Sequence, residues 1–267
     1  MDEAAPKAVL TVKRGNILVV TINRPEARNA VNAAVHVGLG EALEQAEHDP
    51  EIRVVILTGA GDQAFCAGAD LKALSRGERL TPESKEQRAW GFAGVVRHPI
   101  SKPMIAAVNG FALGGGTELA LACDLVVAAN HAQFGLPEVK RGIYAAAGGA
   151  FRITQQLPVK VAMEILLTGE PFSAHRALEL GFANRVVPLD QLMDTATDLA
   201  NRIAVNAPLS VQASKRIAMG IVEGQIASDD AFWEANNREG ATVMRSEDAK
   251  EGPRAFAEKR TPVWQAQ

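Results

Sequence analysis

The sequence predicts an α/β fold in which a largely parallel sheet is layered with helices and continued by a helical C-terminal third. Two observations carry this. The short runs Val54-Val55-Ile56-Leu57, Met104 to Val108 and Leu125 to Ala128 are continuously apolar, as in strands buried on both faces, and helix-periodic segments separate them. After Gly148-Gly149 the pattern becomes helical almost throughout.

Val9 to Lys13 and Ile17 to Asn23 are β-branched-rich and separated by Arg14-Gly15-Asn16, which predicts an opening hairpin. Arg24-Pro25-Glu26 ends the second strand. Asn32 caps a helix to about His48 with Val35, Leu39, Ala42, Leu43 and Ala46 on one face, and Asp49-Pro50 stops it. Gly59-Ala60-Gly61 ends the Val54 strand, and a loop follows through Phe65-Cys66-Ala67-Gly68-Ala69-Asp70. The polar stretch Ser75 to Lys85 predicts a mobile segment, and a helix is expected over Glu86 to Val96.

Lys102-Pro103 leads into the Met104 strand, Asn109-Gly110 turns the chain, and Gly114-Gly115-Gly116 opens a short helix from Thr117 to Ala122. Pro158 starts a helix with Val161, Ile165 and Leu166 on its apolar face. Ser173 caps another, ended by Gly181, and Arg185-Val186-Val187-Pro188 is strand-like. Leu189 to Val205, Leu209 to Val222 and Asp229 to Met244 have helical periodicity, and Ser246-Glu247-Asp248 caps a last helix to Lys259.

Composition excludes several classes. The 267 residues carry 28 Lys and Arg against 31 Asp and Glu, a formal net charge of -3, without the basic excess of a nucleic-acid-binding chain. The most apolar segment, Leu119 to Ala129, is interrupted by Asp124 and is far shorter than the roughly 20 residues a membrane span needs. Met1-Asp2-Glu3 begins no cationic stretch followed by an apolar run, so a cytoplasmic protein is expected. Cys66 and Cys123 stand alone, as reduced buried thiols would, and the five histidines lack metal-ligand spacing, so no metal is expected.

Three segments carry chemistry. Phe65-Cys66-Ala67-Gly68-Ala69-Asp70-Leu71-Lys72 follows a buried strand, at the end where open α/β sheets bind ligands, and its small residues let a ligand approach the backbone. Asn109-Gly110-Phe111-Ala112-Leu113-Gly114-Gly115-Gly116-Thr117-Glu118 places three glycines at a helix start, where N–H groups lack partners and the helix dipole is positive. Phosphate loops need Lys followed by Ser or Thr there; Thr117-Glu118 instead suits an oxygen that becomes anionic during reaction. Glu118 is then either a dipole-stabilising residue or a carboxylate beside that oxygen. In Phe134-Gly135-Leu136-Pro137-Glu138-Val139, Pro137 fixes the backbone before Glu138 and reads alone as a turn.

Together, Ala67-Gly68-Ala69-Asp70-Leu71, the Asn109-to-Glu118 segment, Cys123-Asp124 and Phe134-Gly135-Leu136-Pro137-Glu138 resemble the crotonase (enoyl-CoA hydratase/isomerase) superfamily, from Asn23-Arg24-Pro25 through Phe256-Ala257-Glu258-Lys259-Arg260. The resemblance implies a ClpP/crotonase-like spiral of ββα units at 1–190, and a helical trimerisation region at 191–267 that also completes the active site. It implies a homotrimer or dimer of trimers. Leu192, Leu199, Ile203, Ile217 and Ile221 are expected to be buried within or between subunits.

The resemblance further implies that the N–H groups of Ala69 and Gly115 hold a thioester carbonyl oxygen and stabilise the enolate. Loss of one such donor typically costs about 3–4 kcal/mol of barrier. Hydratases of this family carry two glutamates, here Glu118 and Glu138. Glu118 is expected to activate the water that attacks C3 and Glu138 to deliver a proton to C2, with the work open to sharing. Coenzyme A, part of the substrate rather than a cofactor, is expected along Ala67, Ala69, Asp70, Leu71 and Lys72, with Ala27 and Arg28 as neighbours. Phe256 and Lys259 of the last helix are expected at coenzyme A on an adjacent subunit; a solvated charge is the alternative for Lys259. Gly114, Leu136, Pro137 and Tyr144 are expected to line the acyl pocket.

Downstream of Glu138 the chain departs from short-chain hydratases. Gly142-Ile143-Tyr144-Ala145-Ala146-Ala147-Gly148-Gly149 lacks the family's proline and adds Tyr144, a contact for a polar acyl group or simply pocket wall. The implied reaction is reversible hydration of a 2-enoyl-CoA. Alternatives are an enoyl-CoA isomerase, which should tolerate loss of Glu118 better, and a dehydratase of a specialised, carnitinyl-CoA-like substrate. RNA binding lacks a basic aromatic patch, and a serine hydrolase lacks a Gly-x-Ser-x-Gly elbow.

Overall fold

A computed structural model describes residues 7–267. The chain opens with the antiparallel hairpin β1 (Val9–Arg14) and β2 (Ile17–Ile22). Helix α1 (Ala33–His48) begins where the Asn32 side chain accepts from the Val35 N–H, and it buries Val35, Leu39, Ala42, Leu43 and Ala46 as its periodicity predicts. Strand β3 (Val54–Gly59) is buried at every position. After β4 (Ala64–Cys66) come two short helices, α2 (Leu71–Ser75) and α3 (Lys85–Ala89).

The next turn of the chain is β5 (Met104–Val108), β6 (Phe111–Leu113) and α4 (Gly115–Ala122). Strands β7 (Leu125–Ala129) and β8 (Gln133–Gly135) follow, then a 3-10 turn at Pro137–Arg141 and helices α5 (Gly149–Gln156) and α6 (Val159–Thr168). Strand β9 (Phe172–Ser173), α7 (Ala174–Glu179) and β10 (Arg185–Val187) lead into α8 (Leu192–Ala204) and α9 (Pro208–Met219). The chain ends with the hairpin β11 (Ile221–Val222) and β12 (Gln225–Ile226), then α10 (Asp230–Val243) and α11 (Glu247–Ala257).

The six-stranded sheet has the order β1-β2-β3-β5-β7-β10 and is parallel from β2 onward. A second sheet, β4-β6-β8-β9, is parallel except at β9. The successive pairs β3–β4, β5–β6 and β7–β8 each give one strand to each sheet before the chain returns through helical residues. That repeat is the predicted spiral of ββα units. Helix α8 lies against β2, β3, β5 and β7, burying Leu192, Ala196, Ala200 and Ala204. Ile221 is buried, whereas Ile217 is 83% exposed. Among the described residues, no helix is long and apolar enough to cross a membrane.

One expected element does not form. Instead of a helix over 86–96, α3 stops at Ala89, and Gly91, Ala93 and Gly94 all take positive φ. The reason is tertiary: Gly94 packs so closely on α1 that a Cβ would stand 2.3 Å from the His36 carbonyl oxygen. The break delivers Phe92 to Gly115, where a Cβ would be 2.3 Å from the Phe92 ring.

Candidate active site

Both glycine-bearing segments sit at the ends of the parallel strands. The Ala67–Asp70 loop leaves β4 and is stitched to residues 28–31: Ala67 N–H donates to the Arg28 carbonyl, Val31 N–H to Gly68, and Asp70 N–H to Val31. None of these bonds uses the Ala69 N–H. Arg24 reinforces the stitch, donating Nη2 to Asp70 Oδ2 at 2.8 Å and Nη1 to the Ala30 carbonyl at 2.6 Å. Asp70 also caps α2 by accepting from the Ala73 N–H. Burial alone would raise the Asp70 carboxyl, but the Ala73 N–H and Arg24 hold it below the usual carboxylate range.

Helix α4 starts against this loop. Gly68, at φ 88°, packs so tightly that a Cβ would lie 3.3 Å from the Gly115 nitrogen. At Gly116 a Cβ would lie 1.9 Å from the Cys66 carbonyl oxygen, so only glycine lets helix and loop approach this closely. As the first residue of α4, Gly115 carries an N–H with no intrahelical acceptor. The two N–H groups expected to form an oxyanion site are therefore brought to adjacent backbone.

Thr117 ties the third segment to the same point. Its buried hydroxyl accepts from the Gly135 N–H at 2.9 Å and donates to the Ala112 carbonyl at 2.6 Å, while the Gly114 N–H donates to the Gly135 carbonyl at 2.8 Å. Leu136 is fully buried and Pro137 opens the 3-10 turn that carries Glu138. Glu138 Oε1 lies against Gly114, 3.0 Å from where a Cβ would stand, and its buried Oε2 has no hydrogen-bond partner.

Glu118, 3% exposed, accepts from the Gly149 N–H at 2.9 Å through Oε1. Burial and then the neighbouring Glu138 charge push its carboxyl up to about 8, and burial pushes Glu138 up to about 7. Such a pair binds a proton far more tightly than exposed carboxyls and readily holds one ionised and one protonated member.

The remaining expected residues are placed as follows. Ala27 closes a 3-10 turn beside Arg28, which takes the left-handed conformation, and both stand next to the Ala67 loop. Leu71 and Lys72 are exposed. The Tyr144 hydroxyl donates to the Asn236 carbonyl of α10, so it already has a partner. Phe256 lies under the Arg141 guanidinium of the same chain, at 3.9 Å, and Lys259 is exposed just past α11. Helix α11 packs on the turn that carries Glu138: Cβ atoms at Gly252 and Gly142 would each be 2.0 Å from carbonyl oxygens of Arg141 and Asp248. Three contributors went unread in the sequence: Arg24, the Gly149 N–H and Phe92. Only Arg24 had a local signal, a charge beside a strand-ending proline.

A cavity of about 540 Å³ opens elsewhere, at the far end of α4 among Asp124, Gln156 and Lys215, and neither glutamate lines it. Among the described residues, no group of three or more His, Cys, Asp or Glu side chains could hold a metal ion.

The two-sheet ββα spiral with its C-terminal helices is the crotonase fold. The family model described as enoyl-CoA hydratase/isomerase matches residues 12–267, and the chain belongs to that family. The carnitinyl-CoA dehydratase of Proteus mirabilis (strain HI4320) is 44% identical over 257 residues, 94% of this chain and 95% of that protein. A solved carnitinyl-CoA dehydratase from Mycobacterium avium 104 is 63% identical with TM-score 0.94, covering 98% of this chain and all of that one. An enoyl-CoA hydratase from Mycobacterium tuberculosis H37Rv is 44% identical with TM-score 0.75 over the same shares. The protein is thus a crotonase-family enzyme of the hydratase/dehydratase kind.

Proposed function

We propose that the enzyme adds water reversibly across the 2,3 double bond of a 2-enoyl-CoA to give the 3-hydroxyacyl-CoA. The observation that carries this is the pair of carboxyls, buried Glu118 and largely covered Glu138, near enough beside the start of α4 for the Glu138 charge to act on Glu118. The thioester oxygen sits between the Ala69 and Gly115 N–H groups, which stabilise the enolate. One carboxylate deprotonates the water that attacks C3, and the protonated partner supplies C2; Glu118 takes the first role and Glu138 the second, which requires the pair's shared proton to pass from Glu118, where it is held more tightly, to Glu138. In dehydration the roles reverse.

Coenzyme A runs past Ala27, Arg28 and the 67–72 loop, and Leu136, Pro137 and Gly114 border the acyl group. An isomerase should tolerate loss of Glu118 better than a hydratase, so Glu118→Gln separates the two reactions. The enzyme works in the cytoplasm as a trimer or dimer of trimers, in which Phe256 and Lys259 approach coenzyme A.

A second reading narrows the substrate. Relatives named carnitinyl-CoA dehydratase or hydratase reach 63% identity and TM-scores of 0.94 to 0.96, and these favour an acyl group bearing a quaternary ammonium. Assay of purified protein on crotonyl-CoA and carnitinyl-CoA, with Glu118→Gln and Glu138→Gln alongside, tests both. Each substitution is expected to lower kcat at least about a hundredfold. Turnover of carnitinyl-CoA alone selects the second reading. Turnover of neither, despite thioester binding, overturns the hydration chemistry.

A further inference from the structure

Directly behind Glu118 lies a cation that the reaction as proposed does not use. Arg152, on α5, is 8% exposed. Its Nη2 pairs with the buried carboxylate of Asp229 at a long 3.3 Å, and its Nη1 is buried without any hydrogen-bond partner. The guanidinium lies 5.4 Å from the Trp233 ring centre and 5.5 Å from that of Phe151. An incompletely paired guanidinium in such surroundings is expensive to bury, and its retention calls for a reason.

The geometry supplies one. A Cβ on Gly148 would stand 3.1 Å from Arg152 Nη1, and a Cβ on the next residue, Gly149, would stand 2.9 Å from Glu118 Oε1. The same Gly149 donates its N–H to that carboxylate oxygen. Two successive glycines thus lie between guanidinium and carboxyl, each without a side chain on the side it turns to them, while the far side of Arg152 borders the cavity at Asp124 and Lys215 and a smaller one at Trp233. Glu118 is fully buried, so a positive charge on the other side of these glycines acts on it, weakened by the cavities that Arg152 borders.

We infer that Arg152 is a positioning residue for the reaction: from behind the Gly148–Gly149 turn its guanidinium sets the charge of Glu118, and so the pH range in which the glutamate pair holds one proton. This rests on the two-glutamate reading above. The Tyr144 hydroxyl and the Cys66 thiol also interact with Glu118, and both are neutral near pH 7; on the Glu138 side, Lys140 and Arg141 follow on the same turn, Lys140 paired with Glu170 and Arg141 lying over Phe256. The charged groups acting on Arg152 besides Glu118 are Asp229 and Arg97, whose guanidinium also lies over the Trp233 ring, at 4.4 Å. Glu239 acts on Tyr144 rather than on the pair. Arg152 is thus the cation that acts on Glu118, and Asp229 partly offsets it.

The sign follows. A positive charge favours ionised Glu118, so its removal makes the pair hold its proton to higher pH, whereas removal of Asp229 strengthens Arg152 and does the reverse. The test is a carboxyl-carbon NMR titration of protein labelled with 13C at glutamate Cδ, assigned with Glu118→Gln and Glu138→Gln, and repeated on Arg152→Met, Arg152→Lys and Asp229→Asn. Arg152→Met should weaken the acidity of the pair about tenfold, Asp229→Asn should strengthen it, and Arg152→Lys should stay near wild type. The bell of kcat/KM against pH should move the same ways.

Unchanged midpoints in folded Arg152→Met, or shifts of one sign in both the Met and Asn variants, would mean that Arg152 only supports the fold. If the Met variant does not fold, the opposed sign expected for Asp229→Asn decides. The titration needs no turnover, so an enzyme inert on enoyl thioesters would overturn the proposed reaction and leave this inference to stand or fall by its midpoints.

Discussion

At Glu118 the proposed chemistry and the stability of the fold make opposite demands. In the unfolded chain its carboxyl titrates near the ordinary glutamate value, and in the folded protein burial raises it to about 8. A carboxyl raised on folding contributes stability that is fully present below the unfolded value and is lost as pH rises through the folded one. Glutamine keeps an oxygen for the Gly149 N–H and never ionises. Glu118→Gln should therefore match wild type near pH 4.5 and exceed it by on the order of 3 kcal/mol at pH 9, while activity collapses. Denaturant melts at the two pH values check this, and equal stability at both would contradict the burial argument. Gly116 makes the opposite case. A methyl group there meets the Cys66 carbonyl at 1.9 Å, so Gly116→Ala should cost at least about 2 kcal/mol by the same measurement.

At the scale of elements, the site depends on three seams between segments distant in sequence. The seam between residues 24–31 and the Ala67 loop is closed by Arg24 and Asp70, 46 residues apart. Their pair is mostly buried, with side-chain exposures of 17% and 7%, so it holds geometry in a way an exposed pair would not. Arg24→Met should lower kcat/KM about tenfold by loosening the Ala69 N–H, with little effect on where the rate peaks against pH. Steady-state kinetics across pH distinguish this from the Arg152 effect. The seam between α11 and the Glu138 turn is so close that Gly252→Val must push the helix away. The expected result is lost activity with the strand content intact by circular dichroism. The third seam, Thr117 between Ala112 and Gly135, joins the starts of two site segments through one hydroxyl.

At the scale of the whole molecule, the C-terminal helices leave large apolar side chains in solvent. Val205 is 80% exposed, Leu209 75%, Ile217 83% and Met244 61%. Chains rarely leave that much unpartnered without an assembly to cover it. Light scattering is expected to return particles of three or six chains. Serine substitution at Leu209 and Ile217 should shift them toward monomer, and a monomeric wild-type protein would remove this part of the proposal.

Read from the chain alone, the opening hairpin, α1, the three buried strands and most C-terminal helices were legible, because each has a periodicity or a cap of its own. Glu118, Glu138 and the two glycine loops were singled out only by the family resemblance of their motifs in combination, since each motif alone also fits a turn or a cap. Tertiary structure alone decided the rest. The second sheet escaped because strands of two or three residues such as Ala64–Cys66 and Phe172–Ser173 carry too few positions to show alternation. The helix expected over 86–96 broke because the close approach of Gly94 to α1 outweighed local propensity. Phe92, Arg152 and the Gly149 N–H became visible only once folding had brought them beside these loops and carboxyls, and Arg24 had only a charge beside a strand-ending proline to mark it. Sequence determines what each segment can offer chemically, whereas the charge a buried carboxyl carries depends on the neighbours that packing supplies.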